Sequence, residues 1–120
     1  MHNRYLFRGK RLDNGKWVAG DYVRLDGKRM AISVVGDVMF ELDPATVGQC
    51  TDLRDVHDRL IFEGDVVRYV AEPERCYVVE WVANGWYTNT PDGYEELALG
   101  FDVERIGNIH DNPGLLRHDD

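Results

Sequence analysis

The sequence predicts a mostly β chain in which a small antiparallel N-terminal meander precedes a small β-barrel portion. Three observations predict it. Turn-forming pairs built on glycine recur along the chain, at Asn14-Gly15, Asp26-Gly27, Gly36-Asp37 and Asn84-Gly85, and each supplies the backbone freedom or local hydrogen bonding that tight turns need. The segments between them are short and rich in β-branched and aromatic residues. In "RCYVVEW" (75–81), Tyr77, Val79 and Trp81 line one face of a strand by strict alternation.

The elements follow in order. "RYLF" (4–7) reads as a first short strand, and Asn14-Gly15 turns the chain into "WVAGDYVR" (17–24). Asp26-Gly27 leads into "MAISVV" (30–35), and Gly36-Asp37 into "VMFEL" (38–42). Three hairpin-like connections in so few residues predict an antiparallel meander. Residues 43–59 carry Pro44, Gly48 and several aspartates and read as loop, with "TVGQCT" as a short strand within it. A boundary is expected here, giving an N-terminal lobe over 1–52 and a second lobe over 53–120. In the second lobe, "DVVRYV" (65–70), "RCYVVEW" (75–81) and "WYTNT" (86–90) read as strands, the last two joined at Asn84-Gly85. "YEELALG" (94–100) suits a short helical turn through Tyr94, Leu97 and Ala98, and "FDVERIGNI" (101–109) is a strand interrupted near Gly107. Asn112-Pro113 reads as a cap with proline at the first helical position, so "NPGLL" is one turn of helix. This pattern of short strands and tight turns suggests a five-stranded SH3-like barrel using residues from about 60 to 110.

Composition narrows the function. Hydrophobic residues make up 43% of the 120, enough for a packed core. No apolar run is long enough to span a bilayer, and the charged start lacks the apolar middle of an export signal. The expectation is a soluble, intracellular protein with no membrane association. Cys50 and Cys76 are then expected as free thiols. The net charge is -8, unevenly spread: residues 1–29 hold eight basic and three acidic residues, a net of +5, and the remainder holds six and nineteen, a net of -13. A mostly acidic surface repels phosphate backbones, so nucleic acid is a less favoured partner than protein.

"IFEGDVVRYV" (61–70) places Glu63 and Asp65 on either side of Gly64. Two carboxylates two residues apart share a face of an extended chain, which raises acid–base or metal chemistry. A turn is the better reading, because Gly64 between them supplies a positive φ and no third ligand lies within fixed local reach. Asp65 is expected to cap that turn by accepting backbone N–H groups.

"LRDVHDRLIFEGDVVRY" (53–69), "YVVEW" (77–81) and "ERIGNIHDNPGLL" (104–116) together resemble the YopX family of phage and prophage proteins. Phe7-Arg8 matches its N-terminal segment, Glu63-Gly64-Asp65 followed by Val66-Val67 matches its Glu-Gly-Asp unit, and Ile106-Gly107-Asn108 with Asn112-Pro113 matches its ending. Asp52 stands where the family usually has glycine, "DVHDR" (55–59) lacks the usual Asn-Gly turn, and His110 replaces a common tyrosine. The resemblance implies a β-rich fold with an SH3-like barrel portion and self-association. It implies no activity, cofactor or catalytic residue.

Other constellations carry little. His2, His57, His110 and His118 lack the spacing of a metal site, and Ser33 has no evident triad partners. Cys50 with His57 is a weak candidate for thiolate chemistry against a half-buried structural cysteine. The expectation is therefore a non-enzymatic protein with no cofactor and no metal, acting as an interaction module on itself, as at least a dimer, and on a phage or host protein. Arg4, Arg8, Lys10 and Arg11 are the candidate interface residues. The alternatives are an anti-defence inhibitor whose acidic face imitates nucleic acid, and a nucleic-acid binder using the basic N-terminal segment.

Overall fold

The computed structural model describes residues 6–25, 27–33, 38–82, 85–90, 93–97 and 103–116. The chain divides into two compact units, 1–50 and 51–120. Both are built from antiparallel strands, and the mostly β expectation holds.

The first unit is the expected meander. β1 (Leu6–Lys10), β2 (Trp17–Leu25), β3 (Lys28–Ser33) and β4 (Met39–Glu41) pair in chain order, and Gly48 and Gln49 at the start of β5 (Gly48–Arg54) pair on the other side of β1. The first hairpin turns where Asn14-Gly15 predicts. The Arg11 and Lys16 backbones bond at 2.9 Å, and the Asn14 side chain accepts the Lys16 N–H at 2.9 Å. The turn expected at Gly36-Asp37 lies outside the described residues. After β4, Asp43 caps a 3₁₀ turn, Pro44–Thr46, by accepting the Ala45 N–H. The buried Thr46 hydroxyl then donates to the Asp43 carbonyl and accepts the Lys10 N–H at 2.8 Å, locking the turn onto β1.

The second unit adds β6 (Leu60–Phe62), β7 (Asp65–Tyr69), β8 (Glu72–Val82), β9 (Gly85–Thr90), β10 (Gly93–Glu96) and β11 (Val103–Asn108). β7 to β10 form a meander, and β11 returns to pair with β7, giving the order β10-β9-β8-β7-β11. That order lacks only a β10–β11 ladder to form a five-stranded ring. Among the described residues no such ladder is present and no closed barrel is seen. The core of the unit is Ile61 from β6, Val67, Val79 and Val103 from the five-stranded sheet and Leu97 just past β10, all buried, with Leu53, Tyr69 and Trp86 packed against them. Each such side chain contributes roughly 1.5–3 kcal/mol by leaving water.

One local expectation is corrected. Residues 93–96 form the strand β10, paired with β9 from Gly93↔Thr90 to Glu96↔Tyr87, and not the start of a helical turn. Leu60–Phe62 is a separate strand, because the Glu63-Gly64 turn ends it. Trp81 continues the Tyr77–Val79 alternation but is half exposed. It lies past the core's edge and stacks edge-on against its cross-strand partner Trp86, with ring centroids 4.9 Å apart. The interruption near Gly107 is a register shift between Arg105 and Gly107 that bulges Ile106 out of the ladder. Pro113–Leu116 forms a single 3₁₀ turn.

Candidate functional site

The residues Glu63, Gly64, Asp65, Ile106, Gly107, Asn108, Asn112 and Pro113 converge on one corner of the second unit. Gly64 has φ +88°, as the turn reading requires. Its N–H donates to the Val79 carbonyl and its own carbonyl accepts the Ile109 N–H, both at 2.9 Å. One residue thus ties the β6–β7 turn to β8 and to the segment leaving β11. Asp65 is fully buried, and its Oδ2 accepts the Phe62 N–H at 2.7 Å, closing the turn from within. Glu63 is only half-buried. The two carboxylates therefore occupy different environments and do not converge as an acid–base pair must.

The other half of the corner is held by asparagines. Asn108 Oδ1 accepts the N–H groups of His110 (3.0 Å) and Asp111 (2.9 Å), and its carbonyl accepts the Asn112 N–H at 2.8 Å. Asn112 Oδ1 accepts the Asn108 N–H in return at 3.3 Å. Gly107 is needed for space: a Cβ there would lie 2.5 Å from Asn112 Oδ1 and 2.9 Å from Leu115 Cδ1. Apart from the Asn108 Nδ2 bond to Asp111 Oδ2 at 3.1 Å, the side-chain bonds described in the corner go to backbone N–H groups, so its chemistry is that of a fastening.

A second polar cluster centres on Asp55, in the segment whose composition predicts a loop. Its side chain is fully buried. Oδ1 accepts the N–H groups of His57 and Arg59, both at 3.0 Å, which is the signature of an aspartate organising its own loop. Oδ2 accepts the Arg105 N–H from β11 at 2.9 Å and the Arg59 guanidinium at 3.0 Å. Burial pushes this carboxyl up, but the three backbone N–H groups and Arg59 outweigh it and hold it below its ordinary value. Beside it, Glu104 accepts from Arg68 at 2.6 Å and lies 2.7 Å from His57 Nε2. His57 and Arg68 hold the Glu104 carboxyl below the usual range. The local part of the Asp55 network is visible in "DVHDR"; its bond to Arg105 joins residues fifty positions apart, and no local signal announces that.

Two of the three departures from the family pattern, at Asp52 and in residues 55–59, have a geometric answer. Asp52 has φ +65° and Asp58 has φ +64°. Each takes the left-handed conformation that glycine would occupy without strain and that aspartate tolerates better than most residues.

In the first unit, Arg8 and Lys10 lie over the Trp17 ring, at 4.8 and 5.4 Å from its centroid. Arg11 lies over Phe40 at 4.0 Å and bonds Asp13. Arg4 lies outside the described residues. Next to Arg11, Leu12, Asp13, Met39, Phe40 and Glu41 line a shallow cleft of about 290 Å³. Leu12 is 55% exposed, Met39 44% and the adjoining Val38 47%, and β4, which carries Met39, is the edge strand of its sheet.

Cys50 is buried and Cys76 half-buried, and neither is in a disulfide. Among the described residues no three His, Cys, Asp or Glu side chains are grouped to hold a metal ion, and no helix is long and apolar enough to cross a membrane. No match is found among curated proteins. A family model described as YopX protein matches residues 6–117, nearly the whole chain, and the chain belongs to that family.

Proposed function

We propose that this YopX-family chain is a phage- or prophage-associated protein-interaction module that works as a homo-oligomer through its first unit. The observation behind this reading is the exposure of Met39 on β4, of Val38 just before it and of Leu12 beside it. Three large apolar side chains about half exposed around one cleft leave surface that association would cover. The outer edge of β4 is partly closed, since the Leu12 N–H donates to the Glu41 carbonyl at 3.0 Å and Arg11 bridges Leu42, so the apolar side chains carry the contact. A second copy supplies the same strand and the same apolar cluster, which is what a two-fold interface requires.

Light scattering on the full chain at tens of micromolar tests this. At least a dimeric mass is expected, and Leu12→Glu with Met39→Glu should give a monomer with an unchanged far-ultraviolet spectrum. Salt separates two forces. A contact between the +5 segment and the -13 remainder of another copy weakens as screening shortens to about 3 Å at 1 M, whereas the apolar contact persists. A monomeric mass for the unaltered chain at low salt would overturn the proposal.

A further inference from the structure

We infer that the outer face of β8–β9–β10 binds the cationic side chains of a basic protein segment through Tyr87 and Tyr94. The inference stands apart from the proposed self-association, which concerns the other unit.

Strand register defines this face. Val79, Thr88 and Glu95 are paired across β8, β9 and β10, and the first two are fully buried on the core side. Their neighbours therefore point away from the core: Glu80 on β8, Tyr87 and Asn89 on β9, Tyr94 and Glu96 on β10. Tyr87 is directly opposite Glu80 on one side and Glu96 on the other. Tyr94 is opposite Asn89, one diagonal step from Tyr87. The two tyrosine rings stand at 73° with centroids 6.3 Å apart, forming two walls of a corner. Tyr94 is 49% exposed.

The corner is supported from below and from the side. A Cβ on Gly85 would meet Tyr87 Cε1 at 2.9 Å, so the absence of a side chain at Gly85 lets the Tyr87 ring settle over the strand. Asn89 Nδ2 donates to Glu80 Oε2 at 3.0 Å, holding that carboxylate beside the rings. Two π-faces flanked by two carboxylates suit one chemical class, an arginine or lysine side chain: the rings attract a cation through their quadrupoles and the carboxylates through charge. The same carboxylates repel a phosphate backbone. The unit as a whole reinforces the choice, since residues 51–120 hold sixteen acidic and six basic residues, a net of -10. The basic segment is taken to belong to a protein partner.

Calorimetric titration of the full chain with a hexa-arginine peptide tests the assignment, since that probe offers the side chain without other recognition. Net acidity alone would also attract this peptide, so the comparison is between variants. Tyr94→Leu keeps the charge and most of the apolar area and should weaken binding about two- to fivefold, the range for a cation over an exposed ring. Glu96→Gln should weaken it more than Glu72→Gln, which removes the same charge at the start of β8. The arginine side-chain protons of bound peptide should shift upfield from the ring current, and Tyr94→Leu should reduce that shift. Undetectable binding at low salt, or equal binding by Tyr94→Leu and the unaltered chain, overturns the proposal. So does an equal loss for Glu96→Gln and Glu72→Gln, because affinity would then follow net charge alone.

Discussion

Asp55→Asn should be among the most damaging single-atom changes available to the second unit. The aspartate receives four groups of donors on two oxygens: the His57 and Arg59 N–H groups on Oδ1, and the Arg105 N–H and the Arg59 guanidinium on Oδ2. An asparagine has one accepting oxygen. If it serves the loop, its NH₂ faces Arg105, whose backbone N–H then lacks an acceptor. Arg59 is partly exposed and can turn to water, so the chief loss is that one N–H, at roughly 1–3 kcal/mol. The surviving bonds also fall from charge-assisted to neutral strength, which brings the total to about 2–4 kcal/mol. Urea titration monitored by tryptophan fluorescence measures it. The pH profile gives a second reading. The native carboxyl lies below its unfolded value of about 3.9. Its contribution is therefore fully present above that value and is lost as pH falls through the native pKa. The gap between the unaltered protein and Asp55→Asn should thus be flat at neutral pH and narrow in acid. A cost under about 0.5 kcal/mol, the level of an ordinary surface change, would refute the argument, as would a gap that does not narrow.

Three further outcomes are expected. Gly64→Val should cost roughly 1–3 kcal/mol from backbone strain alone, since its nearest neighbours leave ordinary contact distances. Glu63→Gln should be nearly neutral and Asp65→Ala at least as costly as Gly64→Val, all read as denaturant midpoints. Asp58→Gly should raise stability by a few tenths to about 1 kcal/mol by relieving a left-handed aspartate, because the exposed Arg54–Asp58 pair at 3.8 Å that it removes contributes little. Thiol titration without reductant should find two free thiols on denatured protein. In native protein Cys76 should react first, with the buried Cys50 following only as the chain opens.

The hairpins were legible because their cause is local. Asn14-Gly15 needs nothing beyond its own dihedrals and side chain to turn the chain. β10 was not legible for the opposite reason. Glu95 and Glu96 favour neither a strand nor a particular face by themselves, and it is pairing with Thr88 and Tyr87 that makes them a strand. β6 hid inside "RLIFEG", where three apolar residues show no period. Trp81 obeyed the alternation yet left the core, since alternation gives a face and not how far along the strand that face is covered. The carboxylate question at Glu63 and Asp65 was legible through the glycine between them. Asp55 was legible only as a loop former, because its third backbone donor arrives from β11. The tyrosine corner required the register of three strands, which no dipeptide encodes.

The return of β11 to β7 sets a timetable for synthesis. β7 leaves the ribosome almost forty residues before its partner, and until Val103–Asn108 emerges its outer ladder is open. Through that interval the chain presents Val66 and Val67 on an unpaired strand edge, and Asp55 waits for the Arg105 N–H that completes its shell. Pairing across such a separation is slow to form and exposes the chain to mispairing while it waits. Slowing translation between β7 and β11 would lengthen that exposure without altering a residue, so codon usage over this stretch bears on how much protein reaches the native state.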